Sequence, residues 1–271
     1  MSWARAACIS LLALFQTACA TTAARPPGDV AGFLSHAADP RVLYEQGGED
    51  QAARVAALLD TAVARVESVH GLPFRYPPRV RVCVNPQCFS RLVAGSGFSA
   101  AVLPGDMLVL SPNLFGRESG RLAAILTHEL SHLHLNQRLG HYTPWLPVWF
   151  HEGLASLAAE GGGAEFASDG AILAAWNEGR RVDFSRLDVP GKRHRAGQYG
   201  LDIHQFYRAS WRFMEFLRAR DPAAFTAMLR GIQNHTDITI SVADAYNAGL
   251  EQLERDFIQA DPLRGDYKNG G

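Results

Sequence analysis

The chain has 271 residues, of which 47% are hydrophobic and 20% are charged, so it is long enough for one large globular domain or two small ones. Its 26 Lys and Arg residues nearly balance its 27 Asp and Glu residues. This balance gives no indication of a nucleic-acid-binding protein or of electrostatic attachment to a membrane surface. A short basic cluster, GKRHR at 191–195, is interpreted as a solvated loop.

Residues 1–20 have the pattern of a secretory signal peptide. Arg5 precedes the short apolar run ISLLALF, and the small residues of QTACATTAA follow it. Two cleavage sites fit: ACA at 18–20 suits ordinary signal peptidase, whereas a cut before Cys19 would leave a lipid-anchored cysteine. We expect an exported protein, periplasmic or lipid-anchored to the cell envelope and without a transmembrane helix. Residues 21–48 are expected to form a flexible tether.

Cys83 and Cys88 are the two cysteines outside this N-terminal region. The turn signal Asn85-Pro86 lies between them. In an oxidising compartment, two cysteines that flank a turn most simply form a local disulfide. Zinc binding by this pair is less favoured, because no second Cys or His pair follows at finger-like spacing.

The first predicted element is a helix over 49–71, in which apolar residues recur at helical spacing up to a glycine. Two apolar patterns, at 77–84 and 106–112, then predict strands. Further helices are predicted at 117–140, behind Pro147, around DGAILAAWNEG, and at 202–221, 222–233 and 242–260. A small N-terminal sheet followed by mostly helices predicts an α+β fold, with one domain over 49–262 and a tail at 263–271.

The sequence HELSH, inside the predicted helix 117–140, combines two histidines four residues apart with a glutamate. On a helix, His128 and His132 lie one above the other, about 6 Å apart at the backbone, and can bind one metal ion. Glu129 is turned ~100° round the helix, where it can hold a water molecule without coordinating the metal. A lone histidine there would usually be a hydrogen-bonded core residue. Burying three ionisable groups without a partner is costly, which favours a divalent cation.

A catalytic zinc site needs a third protein ligand and an open fourth position. The metzincin continuation is absent, because Leu135 and Arg138 occupy its glycine and histidine positions. Glu152 remains as the candidate. It follows His132 by twenty residues on the next predicted helix, an arrangement in which two antiparallel helices can share one ion.

HELSHLHLNQ, the Pro-Trp connector and WFHEGLAS resemble the gluzincin clan of zinc metallopeptidases, in particular the bacterial group called peptidase MA-like. The pattern of this group is HExxH, a Pro-Trp turn and Trp-x-x-Glu-Gly-x-Ala, matched at the last step by Trp149, Glu152, Gly153 and Ala155. The resemblance covers about residues 50–260. It implies a thermolysin-like domain with one zinc ion bound by His128, His132 and Glu152, and Glu129 as the catalytic base.

The chain departs from related enzymes at two points. Ser156 stands where thermolysin-like enzymes carry an aspartate that supports a zinc histidine. The Gly-x-Met-Glu-Asn motif of the aminopeptidases is absent, so an aminopeptidase is not indicated. The implied reaction is peptide-bond hydrolysis by a metal-activated water. Tyr207 is the first candidate for the oxyanion donor, with Tyr199 and His204 behind it, although a tyrosine on an amphipathic helix is more often a packing residue.

The sequence indicates the roles of the residues near these two motifs less specifically. Asn136 could orient His132, and His134 and His151 are expected behind the ligands or facing solvent. MLVLS is either a sheet edge that pairs with an extended peptide or a core strand. The expected partner is a peptide or protein substrate and not a nucleic acid, with membrane contact only through a lipid at Cys19. Two alternatives are a catalytically silent binding module of the cell envelope and a hydrolase of amide bonds in cell-wall peptides.

Overall fold

The computed structural model describes residues 32–93, 99–103, 107–189 and 191–260. The predicted signal peptide with Cys19 and the predicted tail at 263–271 lie outside these ranges. Within them, no helix is long and apolar enough to cross a membrane. The α+β prediction is confirmed, because a small sheet near the N-terminus is followed by a mainly helical remainder.

One sheet of five short strands forms in the described part of the chain. The strands are β1 Phe33–Ser35, β2 Val42–Glu45, β3 Arg79–Val82, β4 Ala100–Leu103 and β5 Met107–Leu110. Their spatial order is β1-β2-β3-β5-β4; β2, β3 and β5 run parallel, and the outer strands β1 and β4 are antiparallel to their neighbours. β3 and β5 are the two strands predicted from sequence.

β5 is an internal strand and not the sheet edge considered for MLVLS. All four of its residues are buried, and it pairs with β3 on one side and β4 on the other. A fully apolar strand is typical of such an interior position. The edge of the described sheet at this end is β4, which had not been predicted.

The flexible tether predicted for residues 21–48 is wrong for its second half. β1 and β2 both fall inside that segment, and Val42 and Leu43 of β2 are buried against the rest of the sheet. No residue of β1 and only two residues of β2 are buried, so their sequences lack a clear apolar pattern. The folded unit therefore begins ahead of residue 49, the predicted start of the domain.

The described helices are α1 Glu49–His70, α2 Pro86–Leu92, α3 Leu122–Leu139, α4 Val148–Ala158, α5 Asp169–Asn177, α6 Ile203–Arg220, α7 Pro222–Gln233, α8 Ile238–Tyr246 and α9 Leu250–Gln259. Short 3-10 turns lie at Pro112–Phe115, Ser119–Arg121, Gly140–Trp145 and Ala196–Tyr199. The helix predicted over 242–260 is in fact two helices, because Asn247 adopts a left-handed conformation (φ 50°) between them.

Asn85 and Pro86 begin the short helix α2, where only a turn had been predicted. The Asn85 side chain accepts a hydrogen bond from the Cys88 N–H at 2.8 Å, and Pro86 occupies the first helical position. The predicted disulfide between Cys83 and Cys88 is present, with the Cα atoms 5.5 Å apart.

Helix α4 lies in the interior, packed between α3 and α6. Gly153 permits the close approach to α6, because a Cβ atom there would lie 2.6 Å from the carbonyl oxygen of Ser210. Trp149 and Phe150, at the start of α4, are fully buried and contact an aromatic core that includes Phe184 and Phe213. This packing fixes the helix that carries Glu152 against the helix that carries HELSH.

Candidate metal centre

Three side chains from α3 and α4 converge on one point. The Nε2 atom of His128 lies 3.2 Å from the Nε2 atom of His132 and 3.2 Å from Oε2 of Glu152. The Nε2 atom of His132 lies 3.5 Å from the same carboxylate oxygen. The structure thus brings together the three residues that the sequence proposed as metal ligands.

These distances fit a zinc ion. Ligand atoms about 2.0–2.1 Å from a tetrahedral zinc lie about 3.3 Å from one another, close to the three separations observed. The Nδ1–H of His128 donates to the carbonyl oxygen of Gly162 at 2.8 Å, which leaves the lone pair of its Nε2 directed at the shared point. Two imidazole nitrogens and one carboxylate oxygen form a donor set that zinc commonly uses.

The pKa shifts of Glu152 and His132 indicate that the carboxylate favours a positive charge beside it. Burial alone would raise the pKa of Glu152, but the charge and the hydrogen bond of His132 hold it well below its usual range. Burial alone would lower the pKa of His132, yet the charge and hydrogen bond of Glu152 raise it. A divalent cation bound between these side chains would supply this positive charge without a proton on His132.

The glycine segment after α4 supports His128. Besides the hydrogen bond from His128 to Gly162, the backbone of Gly163 passes directly beside the imidazole ring. The carbonyl oxygen of Gly162 thereby orients the His128 ring. The Ser156 hydroxyl is fully buried and has no hydrogen-bond partner among the described residues.

Replacing Gly163 with Ala is expected to weaken metal binding about ten- to a hundred-fold, the usual effect of losing support behind a ligand. Gly163 has a positive φ of 90°, and a Cβ atom there would lie 2.8 Å from Cε1 of His128. Competition with a chromogenic zinc chelator measures the change. Gly170→Ala is the matched control, since its nearest neighbour would be 3.8 Å away. Equal affinities of the two variants would show that Gly163 does not position His128.

Glu129 lies beside the ligand set without joining it. Its half-buried side chain lines the cleft next to His132 and Glu152. Burial raises the pKa of Glu129, while the neighbouring histidines act in the opposite direction. A carboxylate with a raised pKa in this position is suited to accept and release a proton.

The cleft over these residues has two lobes that meet at Glu129, His132, Glu152 and Arg195. The larger one, here called the arginine lobe, has a volume of about 760 Å³. Its other lining residues are Val102, Leu103, Asn136, Gly140, His141, Thr143, Pro144, Val148, His151 and Arg193. The smaller one, the tyrosine lobe, has a volume of about 340 Å³ and is lined by β4 residues, His128, Gly163, His204 and Tyr207.

Of the three oxyanion-donor candidates, Tyr207 and His204 line the tyrosine lobe and Tyr199 does not. The Tyr207 ring is stacked on His128 with the ring centres 5.9 Å apart. Burial, together with the negative charges of Glu152 and Glu129, raises the pKa of Tyr207, so its hydroxyl keeps the proton it would donate. The Nδ1–H of His204 donates to the carbonyl of Gly163 at 2.9 Å. Tyr199 packs on Phe206, and burial raises its pKa to about 12.

His134 and His151 do not face solvent. His134 is fully buried and donates to the carbonyl oxygen of Leu72 at 2.8 Å, behind α3. His151 is also buried; its Nε2–H donates to the carbonyl oxygen of Thr143 at 3.0 Å, and burial lowers its pKa to about 4. Asn136 lines the arginine lobe, and no hydrogen bond joins it to His132 in the described structure.

The interpretation of 191–195 as a solvated loop fits the exposed residues Gly191, Lys192 and Arg195 and is wrong for the half-buried Arg193 and the buried His194. Arg193 and Arg195 line the cleft, and His194 between them is buried. Asp188, whose side chain is only 1% exposed, accepts hydrogen bonds from His194 and from the N–H of Val148, the first residue of α4. No spacing in the sequence indicated this contact, because the segment is separated from HELSH by two helices.

No protein-family model and no curated protein matches this chain. Among solved structures, native leukotriene A4 hydrolase from Saccharomyces cerevisiae is similar in two determinations. The TM-score is 0.49 in both, at 13% and 15% sequence identity. The alignments cover 88% and 89% of this chain but only 39% and 40% of the yeast protein. At this level the likeness says nothing about activity, and the function is argued from the site.

Proposed function

We propose that this protein is an exported zinc-dependent peptidase of the gluzincin type that hydrolyses peptide bonds. The observation that carries the proposal is the convergence of His128, His132 and Glu152 within one cleft, with Glu129 beside them. The disulfide between Cys83 and Cys88 is in keeping with an oxidising compartment such as the periplasm. The proposed signal peptide and the alternative lipid anchor at Cys19 rest on the sequence alone.

Each protein group has a distinct role in the proposed reaction. A zinc ion held by the three ligands would supply a Lewis acid for the scissile carbonyl and would acidify the attacking water. Glu129 accepts the proton of that water and passes it to the leaving amine. His128 and Glu152 are held in place by the Gly162 carbonyl and by the packing of α4 against α3 and α6.

β4 offers a binding site for the backbone of an extended substrate. Ser99, Ala100 and Ala101 line the tyrosine lobe, and Val102 and Leu103 line the arginine lobe, so the strand passes along both. As the edge of the described sheet, β4 has backbone groups available for pairing with another strand. A peptide paired with β4 would extend to both sides of the metal centre.

Tyr207→Phe is expected to lower kcat about 100- to 1000-fold with a smaller effect on KM, because the hydroxyl would stabilise charge that develops only in the transition state. The ring, and hence its stacking on His128, is retained. Steady-state kinetics on one peptide measure the change, with zinc content determined in parallel. Tyr199→Phe is the matched control, since Tyr199 lines neither lobe. A Tyr207→Phe enzyme with wild-type kcat would remove Tyr207 from the mechanism.

Profiling the purified protein on a diverse peptide library tests the proposed function. We expect cleavage that stops when a chelator removes zinc and returns when zinc is added back. A zinc-loaded protein that cleaves no peptide but retains a stable envelope partner would instead favour the silent binding module. Peptidoglycan fragments are assayed alongside, and cleavage confined to them would place the substrate in the cell wall.

A further inference from the structure

The arginine lobe carries two guanidinium groups on one side of the metal centre, those of Arg193 and Arg195. We propose that these two arginines form a subsite for a carboxylate group of the substrate. The enzyme would then prefer peptides that present a free C-terminal carboxylate, or an acidic side chain, on this side of the cleaved bond. The inference rests on the proposed peptidase function and specifies its substrate class.

The charges that line this lobe leave a positive excess. Glu129 and Glu152 are its acidic residues, and a divalent cation at the metal centre balances both of them. Arg193 is ion-paired with Asp188 at 3.2 Å, so the charge of Arg195 is the one that remains, and it attracts ligands of the opposite sign.

In the tyrosine lobe, which Arg195 also lines, the other arginine already has carboxylate partners. This arginine, Arg121, forms ion pairs with Glu118 at 2.9 Å and with Glu165 at 3.2 Å. Both carboxylates belong to the protein and satisfy that guanidinium group. A substrate carboxylate is consequently expected at Arg195, next to Arg193 and where the two lobes meet.

Arg193 is held rigidly with respect to the metal ligands. Its Nε–H lies 3.2 Å from Oδ2 of Asp188, and its Nη1–H donates to the carbonyl oxygen of Pro144. Asp188 also accepts a hydrogen bond at 2.9 Å from the backbone of Val148, at the start of the helix that carries Glu152. These contacts connect residues 193–195 to α4. The distance between the subsite and the scissile bond is therefore fixed.

Arg195 is exposed and lines both lobes at the point where they meet. Its guanidinium group forms no ion pair with any carboxylate within the ranges that the structure covers. A planar guanidinium with free N–H groups binds a carboxylate through two parallel hydrogen bonds. Burial lowers the pKa of Arg193, Asp188 raises it, and the charge of Arg195 lowers it again; a bound anion would offset the repulsion between the two guanidinium groups.

Matched peptides test the subsite. One library peptide that the enzyme cleaves is made as a C-terminal acid and as a C-terminal amide. A separate series of the same peptide compares Glu with Gln at each position near the cleaved bond. The kcat/KM of each is measured for wild type, Arg195→Gln, Arg195→Lys and the control Arg186→Gln. Arg186 is an exposed arginine of the same connection that lines neither lobe. Dissociation constants of the acid and amide peptides are measured in Glu129→Gln, so that binding is read without turnover.

We expect wild type and Arg186→Gln to prefer a carboxylate-bearing peptide about tenfold or more, in kcat/KM and in affinity. Arg195→Gln should lose this preference, and Arg195→Lys should retain part of it. A preference for the acid over the amide would identify the α-carboxylate as the ligand; a preference for Glu at one position would identify a side chain. If wild type cleaves peptides without such a preference, or Arg195→Gln keeps it, the subsite is wrong and the peptidase stands. If wild type cleaves no peptide, both fail.

Discussion

Peptide hydrolysis by Glu129→Gln is expected to fall about 1000- to 10,000-fold while the protein still binds zinc. Glu129 is positioned beside the three ligands and is not one of them, so its loss removes the proton acceptor but not the metal. The amide of Gln has nearly the same shape and cannot accept the proton of a water molecule. Cleavage rates of the best library peptide and the zinc content of the same preparations measure the two effects.

Glu251→Gln is the matched control for this substitution. The Glu251 side chain is 79% exposed on α9 and lies outside the cleft. The Glu251→Gln substitution should leave both the rate of peptide cleavage and the zinc content unchanged. A Glu129→Gln enzyme that cleaves within tenfold of wild type would exclude Glu129 as the general base, and one that has lost zinc would assign it a structural role.

Glu152→Ala is expected to lower zinc affinity about 100-fold or more, because zinc sites bind with about 10 kcal/mol or more shared among only three or four ligands. The substitution removes the carboxylate that lies 3.2 Å and 3.5 Å from the two imidazole nitrogens. Competition titration with a chelator measures the affinity, and thermal unfolding with and without zinc measures the coupled stability. Wild type should be stabilised by zinc far more than the variant.

Glu160→Ala provides the control for this second substitution. Glu160 follows α4 directly, and its side chain is 75% exposed on the surface. A pair of variants with equal zinc affinity would show that the third ligand lies elsewhere in the chain. Loss of zinc from Glu152→Ala alone would assign Glu152 as a ligand.

The centre of the site could be predicted from sequence because the spacing of residues along a helix determines which of them lie on the same face. Residues four apart on α3 must share a face, so His128 and His132 could be paired before any fold was known. Glu152 lies on the next helix through a short turn, and the resemblance of its surroundings to a known motif identified it. The disulfide was equally local, because Cys88 follows Cys83 by five positions.

The periphery of the site could not be predicted, because it depends on contacts between distant segments. β1, β2 and β4 have at most two buried residues each, so their apolar signal is weaker than that of β3 and β5, which have three and four. Arg193 and Arg195 reach the cleft only because Asp188 ties their segment to the start of α4, a contact spanning 40 residues. The glycines after α4 indicated the end of a helix, whereas Gly162 and Gly163 also support His128.

The zinc content of the purified full chain is the most direct test of the metal centre. We expect one zinc ion per chain, retained through gel filtration, removed by a strong chelator, and restored together with peptide cleavage when zinc is returned. A folded chain that holds no stoichiometric zinc, even after equilibration with excess zinc, would contradict the metal centre and the proposed peptidase with it.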